Sequence, residues 1–208
     1  MNINANVLKR FIIYMAILTF VMFTVWAFVR SFMNRPAGDY ETEVCDIRLK
    51  DKLYEEALDA ANKALEKTPN HRGALMCKAL IFISQKKYLE ANEELSNLII
   101  FLEKNLDDDD TTGIGTLAAA YANRGIIKDR SKDYKGALKD YIKALGIDHE
   151  AVAGPGLGTV ILNYKYKSSS VKERALYLNE QLQLPEEERI LSIQELDEGQ
   201  VMHKPGKL

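Results

Sequence analysis

The sequence predicts an all-α protein in which one membrane-spanning helix precedes a solenoid of paired helices and a C-terminal capping helix. An uncharged apolar stretch near the N-terminus indicates the spanning helix. Three gapless copies of one amphipathic pattern indicate the solenoid. The 208-residue chain leaves room after the apolar stretch for one compact domain.

The apolar stretch covers residues 11–29 and has the sequence FIIYMAILTFVMFTVWAFV, without a charge. As a helix that rises ~1.5 Å per residue, it nearly matches a hydrocarbon layer of ~30 Å. Tyr14 and Trp26 lie toward its two ends, where amphipathic rings favour the membrane interface. The alternatives are a cleaved signal peptide and a buried core helix. Because AFVRSFMNRPAG lacks a small-residue cleavage step, we predict an uncleaved anchor in the lipid bilayer.

The flanking charges are nearly balanced, with Lys9 and Arg10 before the stretch and Arg30 and Arg35 after it. If the domain lay in the cytoplasm, the charged N-terminal tail would have to cross the membrane. Long C-terminal domains, in contrast, are translocated largely regardless of charge. We therefore predict a single-pass protein of a bacterial inner membrane, with a cytoplasmic N-terminus and a periplasmic domain.

Three segments after the anchor align without gaps: KLYEEALDAANKAL, KKYLEANEELSNLI and KDYKGALKDYIKAL. The first two lie 34 residues apart, and the third follows the second by 46, which is one period plus an insertion placed at 105–116. Each segment has an alanine three positions after its tyrosine, namely Ala57, Ala91 and Ala137. Another small residue precedes each alanine in a helical segment, namely Cys45, Ala79 and Gly125. Each repeat is therefore predicted to be a closely packed helix pair.

This pattern resembles the tetratricopeptide repeat family, whose unit has a small residue in the first helix and an alanine and an aromatic residue in the second. The best match is YANRGIIKDRSKDYKGALKDYIKAL, and the resemblance covers residues 38–149. The first repeat lacks the family's usual aromatic residue early in its first helix. The second has Leu98 and Glu103 where an alanine and a proline are common.

The resemblance implies that the first helices line a groove that receives a peptide or helix of a protein partner. By register, the groove-facing residues are Asp46, Leu49, Lys50, Met76, Leu80, Ile83, Ala122, Ile126, Asp129 and Arg130. The strip is apolar in its middle and charged at its ends, which suits an amphipathic segment. The alternative is that the chain's own C-terminal helix fills it. The positions of the carboxylate clamp found in some co-chaperones hold Thr42, Asp46, Cys77 and Ala119, which disfavours chaperone-tail binding.

The segment after the repeats is predicted to cap the solenoid. SSSVKERALYLNEQLQLPEEERILSIQEL indicates a serine-capped helix from about Val171 to Leu184, broken before Pro185 and followed by a shorter helix. The chain thus divides into an N-terminal tail (1–10), anchor (11–29), linker (30–37), repeats (38–149), cap (150–190) and C-terminal tail (191–208).

Several functional classes are disfavoured by composition and motif. Acidic and basic residues number 30 and 28, so no net field attracts nucleic acid. Cys45 and Cys77 lack zinc-site spacing and are predicted to be free core thiols. The glycine cluster at 154–158 lacks the Lys-Ser/Thr that follows in a phosphate-binding loop, so we predict an ordinary loop there. The acidic run at 107–110 lacks the residue spacing of a calcium-binding loop and is predicted to be mobile and solvated. We predict no catalytic, cofactor or metal site, and no small-molecule substrate.

The function predicted from these features is that of a membrane-anchored scaffold that assembles or stabilises a membrane protein complex. The alternative is a chaperone-like accessory of secretion or insertion machinery, which would hold clients transiently in the groove. A stoichiometric partner that survives purification favours the scaffold, whereas many substoichiometric clients favour the chaperone.

Overall fold

The computed structural model describes residues 5–33, 35–150, 152, 170–193 and 200. Eight α-helices lie within these ranges: α1 (Ala5–Met33), α2 (Asp39–Lys50), α3 (Tyr54–Lys67), α4 (Arg72–Ser84), α5 (Tyr88–Asn105), α6 (Thr111–Arg130), α7 (Tyr134–Ile147) and α8 (Val171–Gln183). The predicted all-α class is confirmed, and α2 to α7 form three consecutive helix pairs in which each helix contacts the next.

Helix α1 carries the apolar stretch and is long and apolar enough to cross a membrane between Asn6 and Arg30, with a mean hydropathy of 2.3. None of that stretch is buried against the described part of the chain. The hydroxyl of Thr19 donates to the Met15 carbonyl and that of Thr24 to the Val21 carbonyl, so both hydroxyls are satisfied within the helix. By length and composition, α1 is therefore a candidate membrane-spanning helix.

The small residues predicted at the contact between paired helices are all buried. Cys45 and Ala79 are 0% exposed, and a Cβ added to Gly125 would lie 2.6 Å from the ring of Tyr141. Helices α6 and α7 therefore approach each other more closely than any larger side chain would allow.

The turn inside each pair has the same backbone conformation. Lys52, Lys86 and Lys132 adopt left-handed φ angles of 60°, 61° and 66° at equivalent positions of the three repeats. The next backbone N–H in each case donates to a carbonyl of the preceding helix: Leu53 to Arg48, Lys87 to Phe82 and Asp133 to Lys128. The backbone conformation thus repeats in the same register as the sequence at all three helix ends.

The insertion at 105–116 is largely helical, apart from an exposed turn that contains Asp107, Asp108 and Asp109. Helix α5 continues to Asn105 and α6 begins at Thr111, so the extra residues mainly lengthen these two helices. Asp110 caps α6, because its Oδ1 accepts the Gly113 N–H at 2.8 Å while its Oδ2 binds the Arg72 guanidinium. These two contacts, that with Arg72 foremost, lower the pKa of the Asp110 carboxyl.

Cys45 and Cys77 form a disulfide, so the prediction of free thiols was wrong. Spacing along the sequence did not show that the first helices α2 and α4 lie side by side, which brings the two Cα atoms to 6.5 Å. The bond closes a sequence separation of 32 residues within a small buried cluster that also contains Ala57, Ala60, Ala61 and Ile81. A disulfide of this kind typically stabilises a fold by about 2–4 kcal/mol.

Helix α8 confirms the predicted helix after the repeats. Ser170 and Glu173 form a reciprocal capping box at its start. The helix ends before Pro185, and the shorter helix predicted behind it is a 3-10 turn at Glu186–Glu188. Its buried side chains include Val171, Ala175 and Leu178, and α8 packs on α7.

Two of the predicted segments lie wholly or partly outside the residues that the structure describes. The glycine cluster at 154–158 lies outside the described residues. Of the predicted C-terminal tail, the structure describes only Leu191, Ser192, Ile193 and Gln200.

Candidate protein-binding groove

The ten predicted groove residues lie on the first helices α2, α4 and α6, which contact one another in that order. Their exposure differs from the prediction that they face a partner. Met76, Leu80, Ile83, Ala122 and Ile126 are at most 4% exposed. They belong to one apolar cluster that also contains Val171, Ala175 and Leu178 of α8. Apolar side chains gain stability by leaving water, so in this structure the middle of the strip forms part of the protein's own core.

The third-repeat end of the groove is occupied by the chain's own C-terminal part. The Arg174 guanidinium on α8 donates to both carboxylate oxygens of Asp129, each at 2.7 Å. Their side chains are only 1% and 4% exposed. Gln200 Nε2 also donates to Asp129 Oδ2 at 2.9 Å. Asp129 is therefore held by residues of this chain rather than presented to a partner.

Tyr141 on α7 completes this buried polar cluster. Its hydroxyl donates to Asp129 Oδ2 at 3.1 Å and accepts from Gln200 Nε2 at 3.2 Å. Burial, and then the neighbouring Asp129 carboxylate, raise the pKa of the Tyr141 phenol well above its usual value. The phenol thus stays protonated and continues to donate. Arg174 also donates to the Leu191 carbonyl at 2.8 Å, which holds the segment after α8.

Sequence reasoning missed Arg174, although a signal for it existed. Arg174 follows Asp140 by 34 residues, and Asp140 is itself a buried charge on the second helix of its pair. Asp140 is satisfied by Arg124 Nε at 2.7 Å and Lys128 Nζ at 2.8 Å. Arg174 lies inside the apolar stripe of α8, at the repeat position that Asp140 holds in α7. A charged residue in such a stripe indicates a buried group of opposite charge that pairs with it.

The first-repeat end of the groove is more open. Lys50 is exposed, and Asp46 and Leu49 are half-buried. At the other end of the groove, Arg130 at the end of α6 is also half-buried. Two of the clamp positions have other roles, since Thr42 donates to the Gly38 carbonyl at 2.9 Å and Cys77 is in the disulfide. Among the described residues, no group of three His, Cys, Asp or Glu is placed to hold a metal ion.

No protein-family model matches the chain, and no curated protein matches it by sequence. Among solved structures, the Arabidopsis OM64 TPR domain is similar at 18% identity, over 55% of this chain and 84% of that chain, with a TM-score of 0.45. Three helix pairs in one register, with the same turn in each, make the chain similar in architecture to tetratricopeptide repeat proteins.

Proposed function

We propose that this protein is a membrane-anchored scaffold whose helical-repeat domain binds a protein partner and helps to assemble or stabilise a membrane protein complex. The observation that carries the proposal is the stack of three helix pairs directly behind an unburied apolar helix. Stacked helix pairs create elongated surfaces suited to peptides and helices of other proteins. The action is binding rather than turnover.

The partner is proposed to reach the groove at its first-repeat end, where Leu49 and Lys50 remain accessible. The chaperone-like alternative is less well supported. A protein that holds unfolded clients needs an open apolar surface, whereas Leu80 and Ile126 are 4% and 1% exposed. A specific contact at the open end therefore fits better than promiscuous holding.

The disulfide supports the proposed orientation, with the domain in the periplasm. Disulfides persist in oxidising compartments and are rare in the cytosol. Cys45 and Cys77 are each 0% exposed, which shields the bond from reductants once the domain has folded.

The full-length protein is expected to remain with the membrane after carbonate extraction, because α1 exposes its apolar side chains. Acid-trapped alkylation of growing cells should find Cys45 and Cys77 oxidised. Release by carbonate would contradict the anchor. Reduced thiols in a membrane-bound protein would contradict the disulfide and the orientation inferred from it, but not the anchor.

Lys50→Glu is expected to weaken capture of the partner in mild detergent by about tenfold, because it reverses a charge at the open end of the groove. Lys104→Glu is the matched control, since both residues are exposed lysines in the last turn of a helix. Affinity purification with quantitative mass spectrometry compares the two variants with the unaltered protein. An equal loss in both variants, or many substoichiometric clients, would count against the proposed contact.

A further inference from the structure

Helix α7 presents a basic face away from its packed side. Lys135, Lys139 and Lys143 are exposed and lie one helical turn apart. A shallow depression is lined by these lysines and by an adjoining row that includes Leu138 and Ile142. Ile142 is 57% exposed. We call these five residues the lysine face.

The lysine face carries charge that the described part of the chain does not neutralise. Lys63, Lys67, Lys78 and Lys128 each pair with a carboxylate, but no such ion pair involves the lysines of this face within the described residues. The equivalent positions of α3 are Glu55, Asp59 and Lys63, and those of α5 are Leu89, Glu93 and Asn97. The repeat fold itself therefore does not require three lysines here.

We propose that the lysine face docks on the anionic headgroups of the bilayer that holds α1. This inference rests on the proposed membrane anchoring. Only a short linker separates α1 from α2, so a bilayer is a neighbour that the domain cannot leave. Each lysine near an anionic surface favours docking by about fivefold, and three together by about a hundredfold.

A tethered bilayer fits this face better than a protein partner does. Protein interfaces depend on large buried anchors, and Ile142 is the one strongly exposed large apolar residue among the described residues of α7. A modest electrostatic attraction becomes effective when the tether supplies a high local concentration of the surface. The docked domain would keep its contact by charge and by partial insertion of Ile142.

The test places an environment-sensitive fluorophore at Ile142→Cys in the full-length protein. The native cysteines are disulfide-bonded and buried, so they do not compete for the label. The protein is reconstituted in phosphatidylcholine vesicles, or in vesicles of equal parts phosphatidylcholine and phosphatidylglycerol, each with a lipid-borne quencher. Quenching is expected in the anionic vesicles and should fall in high salt.

Asn62→Cys is the matched control, because Asn62 occupies the equivalent exposed position on α3. Replacing Lys135, Lys139 and Lys143 together with glutamine should lower the docked-to-undocked ratio by about a hundredfold. Equal quenching at both label sites, or none at Ile142→Cys in anionic vesicles, would overturn the proposal. So would quenching that appears only when a protein partner is added. Carbonate resistance of the same samples reports separately on the anchor.

Discussion

Ala137→Asp is expected to unfold the third helix pair. Ala137 is 0% exposed, and its carbonyl lies 3.3 Å from where a Cβ on Gly125 would stand. An aspartate here would bury an unpaired carboxylate at the closest approach of α6 and α7, at a cost of several kcal/mol. Since whole domains are stable by only about 5–15 kcal/mol, most of the cooperative stability should be lost.

The control for this change is Asp109→Ala, in the exposed turn between α5 and α6. It should alter the free energy of unfolding by less than ~0.5 kcal/mol. Denaturant unfolding followed by circular dichroism compares the two variants. Equal shifts of the midpoint would mean that Ala137 does not occupy the helix contact.

Features that follow from the repeat period, or from residues close together in the sequence, could be predicted from the sequence. The period placed Cys45, Ala79 and Gly125 at helix contacts, because only small residues permit that approach. The capped helix after Ser170 was also predictable, since its capping box and Pro185 are close in sequence. The 34-residue period also continues into α8, where Val171 and Ala175 follow Ala137 and Tyr141 by 34 residues, although the sequence analysis ended the repeats at residue 149 and treated this helix as a cap.

Features that depend on pairing between distant segments could not be predicted in this way. The disulfide requires that α2 and α4 lie side by side, and the ion pair of Asp129 with Arg174 joins residues 45 apart. Amphipathic periodicity reports which face of a helix is apolar but not what covers it. For the same reason, the sequence left open whether a partner or the chain's own C-terminal helix covers Leu80 and Ile126, which are buried in the structure.

Asp129→Ala is expected to destabilise the domain by about 3–5 kcal/mol, because it leaves the Arg174 guanidinium buried without its carboxylate. Limited proteolysis should then cut the chain after Ser170 more rapidly, since Arg174 and Gln200 both lose their contact with α6. Thermal unfolding and protease sensitivity measure the two effects.

The double variant Asp129→Leu with Arg174→Met separates the role of the charge pair from that of packing. Replacing a buried ion pair by apolar residues is often neutral, so this variant should recover most of the lost stability. If it recovers stability and protease resistance, the C-terminal part is held chiefly by apolar packing of α8 on α7. If it remains as unstable as Asp129→Ala, the directional hydrogen bonds from Arg174, Tyr141 and Gln200 to Asp129 are what hold that end of the groove closed.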